Sequence, residues 1–174
     1  MRGVVFLGNR QLEIREFPDP EPGPGEVVVA VRVSGLCGSD LTPYRGAVAQ
    51  RTISGHEPCG DVAAIGPGVE GVTVGDRVMI HHYSGCGRCK YCRIGYEQLC
   101  LYDHKIYGFG TNGGNADRLL VPARCLVPLP DELTYAEGAA IACGTGTAYM
   151  ALKKLDLSGR DTLAIYGQGP VGLS

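Results

Sequence analysis

Hydrophobic positions along the chain fall in short runs that glycine or proline soon closes. Val4–Leu7 and Leu12–Glu16 predict a hairpin, and the proline-rich stretch Pro18-Asp19-Pro20-Glu21-Pro22-Gly23-Pro24-Gly25 follows as a connector. Val27–Val33 alternates and carries β-branched residues, which predicts a strand. Asp61–Ile65 and Arg77–Ile80 predict further strands, with turns at Gly66-Pro67-Gly68 and Val74-Gly75-Asp76, and Leu119–Pro122 and Cys125–Leu129 predict two more. With 27 glycines and 11 prolines as punctuation, the texture is that of a mainly β domain with tight connections. It changes near the end, where Thr134–Ala142 and Gly146–Lys154 are rich in Ala, Leu and Met and predict short helices. Thr162–Tyr166 then predicts a short apolar strand running into Gly167-Gln168-Gly169-Pro170-Val171-Gly172. No internal repeat or low-complexity tract interrupts the pattern.

At 174 residues the chain is long enough for one domain, or one domain and part of another, with a core that needs no metal merely to fold. A net charge of −2 with scattered Lys and Arg excludes the basic footprint of a nucleic-acid or membrane-surface binder. No apolar run approaches a membrane span, and Met1-Arg2-Gly3-Val4-Val5-Phe6-Leu7-Gly8 is too soon broken for a signal peptide. The eight cysteines therefore read as reduced thiols and metal ligands of a cytoplasmic protein.

Four of those cysteines, Cys86, Cys89, Cys92 and Cys100, follow a Cys-x2-Cys-x2-Cys-x7-Cys spacing that closes a tetrahedral zinc site from one stretch of chain. Four thiolates leave no open position, so such a site stiffens structure and does not catalyse. A second group is dispersed: Cys37 in Gly35-Leu36-Cys37-Gly38-Ser39-Asp40, His56 and Glu57 in Gly55-His56-Glu57-Pro58-Cys59-Gly60, and Cys143 in Ala142-Cys143-Gly144-Thr145. A catalytic zinc takes three such ligands and keeps one position exchangeable, but spacing alone does not assemble residues this far apart. Cys59 and Cys125 fit no ligand position and are expected to pack in the core; His81 and His104 are expected to be surface or core residues. Gly167, Gly169 and Gly172 form a Gly-x-Gly-x-x-Gly dinucleotide fingerprint after the Thr162–Tyr166 run. The residue that chooses NAD over NADP would lie about 20 residues further on, and a nucleotide site needs a complete βαβ unit of about 30 residues. These 174 residues hold neither.

Taken together, Cys37-Gly38-Ser39-Asp40, Gly55-His56-Glu57-x-x-Gly60, Gly75-Asp76-Arg77-Val78, the four-cysteine segment, Leu129-Pro130-Asp131 and the glycine motif resemble the zinc-dependent medium-chain alcohol and polyol dehydrogenases. The resemblance covers essentially the whole chain. It implies a GroES-like β-barrel catalytic domain over residues 1–150 and the start of a Rossmann domain over residues 151–174. It further implies two zinc sites, with Cys37, His56 and Cys143 on the catalytic ion and Glu57 beside it as a neighbouring or exchangeable ligand. Asp40 would fix the tautomer of His56, and Ser39 would hydrogen-bond the substrate hydroxyl and take its proton. Zinc would acidify that hydroxyl, and hydride would pass to NAD or NADP in the full-length enzyme. The implied partner is a small alcohol or polyol, with no nucleic acid or membrane involved and a homo-oligomer as the full-length form.

Two positions depart from the family pattern. Thr42 stands where a proton-relaying histidine is common, and His82 stands where an apolar or aromatic residue often lines the substrate pocket. A histidine there suits a polar or hydroxylated substrate. Zinc-free quinone reductases of this fold lack the ligands seen here, and a zinc-ribbon nucleic-acid binder would need paired knuckles and a basic face. The remaining alternative is a stable zinc-binding module without activity of its own. The 174 residues alone are expected to bind zinc, to show no turnover, and to expose apolar surface that favours self-association.

Overall fold

A computed structural model describes residues 1–174. Its centre is a five-stranded antiparallel sheet in the order β10-β5-β4-β3-β9. These strands are β3 (Glu26–Gly35), β4 (Glu57–Ile65), β5 (Arg77–Ile80), β9 (Arg118–Pro122) and β10 (Leu126–Pro128). An N-terminal hairpin of β1 (Arg2–Gly8) and β2 (Gln11–Glu16) turns through Asn9 and Arg10, both with φ near +55°, at 50° and 62°. Two left-handed residues give the turn a twist that matches the flanking strands. The hairpin joins the sheet through the Gly3–Ala116 bridge beside β9. Three short strands, β6 (Tyr83–Ser84), β7 (Lys105–Tyr107) and β8 (Gly110–Thr111), make a separate small sheet.

The period of two along β4 and β5 sorts their side chains onto two faces. Val62, Val78 and Ile80 join Val27, Val29, Tyr107, Leu119, Val121 and Cys125 in the main core. On the opposite face Cys59 pairs across from Met79, and both pack with Leu129 and Ala139. Cys59 and Cys125 are thus the packing residues that the sequence implies.

Four helical pieces complete the fold: α1 (Leu41–Arg45), α2 (Tyr135–Ala140), α3 (Gly146–Leu155) and the single turn α4 (Pro170–Leu173). Between α2 and α3 the backbone widens into a π-turn, Ile141–Thr145. The predicted helix Thr134–Ala142 is therefore shorter, with Thr134 as its N-cap and the wider turn beginning at Ile141. The predicted Cys125–Leu129 strand narrows to β10, because Ala123–Cys125 forms a 3₁₀ turn. The predicted strand Thr162–Tyr166 does not form: none of the three sheets takes it as a neighbour, and a strand without a partner has no ladder of hydrogen bonds to hold it. Leu163, Ile165, Tyr166 and Leu173 are left exposed. No helix is long and apolar enough to cross a membrane.

Candidate metal centres

The sheet brings the dispersed residues together at one end of β3 and β4. The β3–β4 pairing runs to Gly35 opposite Glu57, which sets Cys37, two residues past Gly35, beside His56 and Glu57. Gly55 takes φ +90°, a value that side-chain-bearing residues rarely adopt, and this bend delivers His56 to the strand start. Cys143 arrives from the other direction, on the π-turn after α2. A single-turn π-bulge of this kind recurs at functional sites. One ligand atom each from Cys37, His56, Glu57 and Cys143 lies within 4.8 Å of the others. The Cys37 and Cys143 sulfurs are 4.0 Å apart, close to the ~3.8 Å that Zn–S bonds of about 2.3 Å give in a tetrahedron.

Neighbouring side chains orient this cluster. His56 is 2 % exposed and Asp40 1 %. The His56 Nδ1 lies 3.0 Å from Asp40 Oδ1. A carboxylate only accepts, so Nδ1 carries a proton, and Nε2 is the ring nitrogen that faces the sulfurs. The other Asp40 oxygen accepts the Cys37 N–H at 2.9 Å. Ser39 Oγ lies 3.4 Å from His56 Nε2 on the exposed side of the group. Burial by itself would lower the His56 pKa, but the bonds to Asp40 and then to the Cys143 and Cys37 sulfurs override it and raise the value to about 10. Burial likewise pushes the Cys37 thiol up, yet hydrogen bonds from Ser39 and His56 bring it below its ordinary value. Cys143 goes the other way: its bond with His56 lowers it, and burial together with the Cys37 charge outweighs that. Two sulfurs, a carboxylate and an imidazole nitrogen, which gives up its proton when it binds a metal, converge in a partly buried corner as a donor set that suits a zinc-like cation.

The second cluster is local. The Cys86, Cys89, Cys92 and Cys100 sulfurs lie within 4.8 Å of one another. Backbone N–H groups support them: Cys86 N–H donates to Cys100 Sγ at 3.2 Å, Cys89 N–H to Cys86 Sγ at 3.4 Å, and both Tyr102 and Asp103 N–H to Cys100 Sγ at 3.4 Å. The backbone of Cys92 and Leu101 lowers Cys89 to about 6, and the amides of Tyr102, Cys86 and Asp103 lower Cys100 to about 7. Burial, followed by the neighbouring Cys89 sulfur, pushes Cys92 up to about 12. The lobe is tied to the body by Gly85 N–H to Glu97 (2.6 Å) and by Arg124, which donates to Ser84 Oγ (2.9 Å) and Gly85 O (2.6 Å).

His82, 7 % exposed, stands edge-on to His56 with ring centroids 4.9 Å apart. It helps to line a mostly apolar cavity of about 390 Å³ that includes Cys143, Ile141, Met150 and Gln98. Its Nδ1 is buried without a hydrogen-bond partner, and burial, together with the charges of His56 and His81, lowers the ring pKa to about 3. His81 and His104 are exposed, as is Thr42 on α1. Phe109, whose ring centroid lies 5.0 Å from that of His56, is absent from any sequence-level assignment. The only sequence signal at Phe109 is the flanking Gly108 and Gly110, both with positive φ. The glycine turn lines one cavity together with Cys37, Ser39 and Glu57; in it Gly167 takes φ +97° and a Cβ on Gly172 would strike the Gly167 carbonyl, while the side of Gly169 is open. The glycine turn thus has the close approach that a phosphate-binding turn requires.

This fold carries two clusters of side chains that could each hold a metal ion. Residues 23–131 match the alcohol dehydrogenase GroES-like domain family, and the chain belongs to the zinc-type medium-chain alcohol dehydrogenases. It is 40 % identical to the zinc-type alcohol dehydrogenase-like protein YphC of Escherichia coli K12, over 99 % of this chain and 52 % of that protein. It is 37 % identical to the L-threonine 3-dehydrogenase of Pyrococcus horikoshii, over 92 % of this chain and 47 % of the relative. The crystal structure of an Escherichia coli CFT073 alcohol dehydrogenase complexed with NADH superposes with a TM-score of 0.91 at 33 % identity, covering 99 % of this chain and 51 % of that one. The chain spans about half the length of the relatives it matches.

Proposed function

We propose that this chain is the zinc-binding catalytic part of an NAD(P)-linked alcohol or polyol dehydrogenase. The observation that carries the proposal is the convergence of Cys37, His56, Glu57 and Cys143, from three separate segments, within 4.8 Å. Cys37, His56 and Cys143 would hold the catalytic zinc with Glu57 beside it, and Cys86, Cys89, Cys92 and Cys100 the structural one. Bound zinc supplies Lewis acidity toward a substrate hydroxyl, and a nicotinamide bound by the whole protein supplies the hydride acceptor.

The side chains divide the remaining work. Asp40 keeps the proton on His56 Nδ1 and so leaves Nε2 as a ligand. Ser39 Oγ, exposed beside Nε2, takes the hydroxyl proton; exposed Thr42 and solvent are the groups available to carry it outward. His82, with its unpartnered Nδ1, accepts a hydrogen bond from a polar group on the non-reacting part of the substrate. On this reading His82→Phe shifts the preference of the whole enzyme from hydroxylated substrates toward plain alcohols, and an unchanged preference would count against it.

Residues 1–150 would form the catalytic domain and residues 151–174 the start of the dinucleotide-binding domain, with α3 running across the division. The fingerprint glycines Gly167, Gly169 and Gly172 would meet the pyrophosphate there. Free thiols at both clusters suit the reducing cytoplasm, and the exposed apolar residues near the end suit burial in a homo-oligomer or against further protein.

Metal analysis together with intact mass tests the core of this proposal. Two zincs per chain are expected; one would indicate an empty dispersed site, and none would remove both assignments. Because residues 162–174 hold no strand of the βαβ unit that a nucleotide site needs, these 174 residues alone would act as a zinc-binding module. NAD-dependent alcohol oxidation by them alone would contradict that.

A further inference from the structure

Two motifs of the sequence, Gly75-Asp76-Arg77-Val78 and Leu129-Pro130-Asp131, take no direct part in the chemistry above, yet they meet in space. Arg77, the first residue of β5, donates from Nη1 to the carbonyls of Pro130 (3.2 Å) and Asp131 (3.3 Å) and from Nη2 to that of Leu133 (2.6 Å). Its guanidinium also lies over the ring of Tyr135, 4.7 Å from the centroid. Tyr135 opens α2, and its hydroxyl donates to Asp61 Oδ1 on β4 at 2.5 Å. Arg32 holds the other oxygen of that carboxylate at 2.7 Å.

The cluster ligands differ in how they are fixed. Cys37, His56 and Glu57 sit where the β3–β4 ladder ends, so sheet hydrogen bonds set their spacing. Cys143 has no ladder. After β10 ends at Pro128 no residue before it pairs in a sheet, and α2 with its π-turn is held to the sheet by side-chain contacts. Among these are the Arg77 fan, the Tyr135–Asp61 bond, and packing of Leu129 and Ala139 on Cys59 and Met79, with Val33 of β3 and Ile141 packed beside them. Metal–thiolate geometry tolerates only about 0.2 Å, so whatever sets the position of α2 also sets whether the Cys143 sulfur meets the other donors.

We propose that Arg77 is a positioning residue for the dispersed metal cluster: by anchoring the Pro130–Leu133 bend and the first turn of α2 to β5, it places Cys143 relative to Cys37 and His56. The proposal rests on the reading that those three residues hold a metal. Arginine is required because one planar fork serves three carbonyls and stacks on a ring at once; a lysine ammonium keeps the charge but matches neither geometry.

The test is a Co²⁺ titration of the zinc-free protein and of Arg77→Lys, read by thiolate-to-cobalt charge-transfer and d–d absorption. The two sites have different sulfur counts and so different spectra. The unsubstituted protein is expected to take up two Co²⁺. Arg77→Lys is expected to load the four-cysteine lobe with unchanged affinity. Its dispersed cluster should bind about 10- to 100-fold more weakly, with altered d–d intensities. Unchanged affinity and spectrum at the dispersed cluster would overturn the proposal, and so would equal weakening at both sites, the mark of a general folding role. Arg77→Ala should enlarge the selective loss; if that variant does not fold, Arg77→Lys alone decides. An unsubstituted protein that takes up only the lobe's Co²⁺ would refute the underlying metal assignment instead, a separate and distinguishable result.

Discussion

At Asp40 two hydrogen bonds converge on one carboxylate that is 1 % exposed, one from His56 Nδ1 and one from the Cys37 amide. A single residue thus orients one proposed metal ligand through its ring and another through its backbone. Asp40→Ala would leave a buried imidazole N–H without an acceptor, at a cost of about 1–3 kcal/mol. The same substitution should weaken metal binding at the dispersed cluster about 10- to 100-fold while sparing the lobe, as a chelator competition would report. Cys37, Ser39 and Asp40 stand close together in the sequence, and their shared site is what the family resemblance implies, whereas the bond from the Cys37 amide to Asp40 is seen only in the structure. The contacts of Phe109 and His82 with His56 were not legible as contacts, because they join residues far apart in the chain.

At the scale of elements, α2 shows how much a short helix owes to its ends. Thr134 Oγ1 accepts from the Glu137 amide at 3.3 Å, and the Glu137 carboxylate accepts from the Thr134 amide at 2.7 Å. Thr134→Ala should therefore cost about 1 kcal/mol in urea unfolding. Tyr135 adds a pH dependence. Burial raises the Asp61 pKa, but the Tyr135 hydroxyl and then Arg32 hold it below its ordinary value. A depressed carboxyl contributes stability above its unfolded pKa of about 3.9 and loses it as pH falls through the lower folded value. Tyr135→Phe should remove roughly 1 kcal/mol at neutral pH, and the gap from the unsubstituted protein should shrink below about pH 4 in melts run from pH 6 to 2. The helical composition of Thr134–Ala142 was readable from the sequence, while its Thr134–Glu137 cap emerged in the structure. The π-turn that follows was not, because it depends on how α2 and α3 pack rather than on local propensity.

For the whole molecule, the two clusters predict different responses to metal removal. The lobe's four ligands come from Cys86 to Cys100, and its ties to the body run through Gly85, Glu97 and Arg124. Chelation should raise amide hydrogen exchange there within one segment. Removing a cation from the dispersed cluster should instead loosen the end of β3, the start of β4 and the π-turn together, since each supplies a ligand. Exchange mass spectrometry on the zinc-loaded and chelated protein distinguishes the two patterns, and a uniform increase along the chain would contradict both. Because thiolates and neutral imidazole are the binding forms, zinc affinity at each site should fall as pH is lowered.

The sequence by itself determined the features whose parts lie close along the chain. Among them are the alternating strands of the central sheet, the four-cysteine lobe and the glycine turn at Gly167–Gly172. In each, spacing already fixes geometry, since a few residues span only a few ångströms. The tertiary structure decided the rest: that Cys143 reaches Cys37 and His56, that Arg77 holds the helix leading to it, and that the His82 nitrogen is buried without a partner. It also decided that Thr162–Tyr166, apolar enough for a strand, stays unpaired, because a strand exists only where a neighbour supplies the other half of its hydrogen bonds.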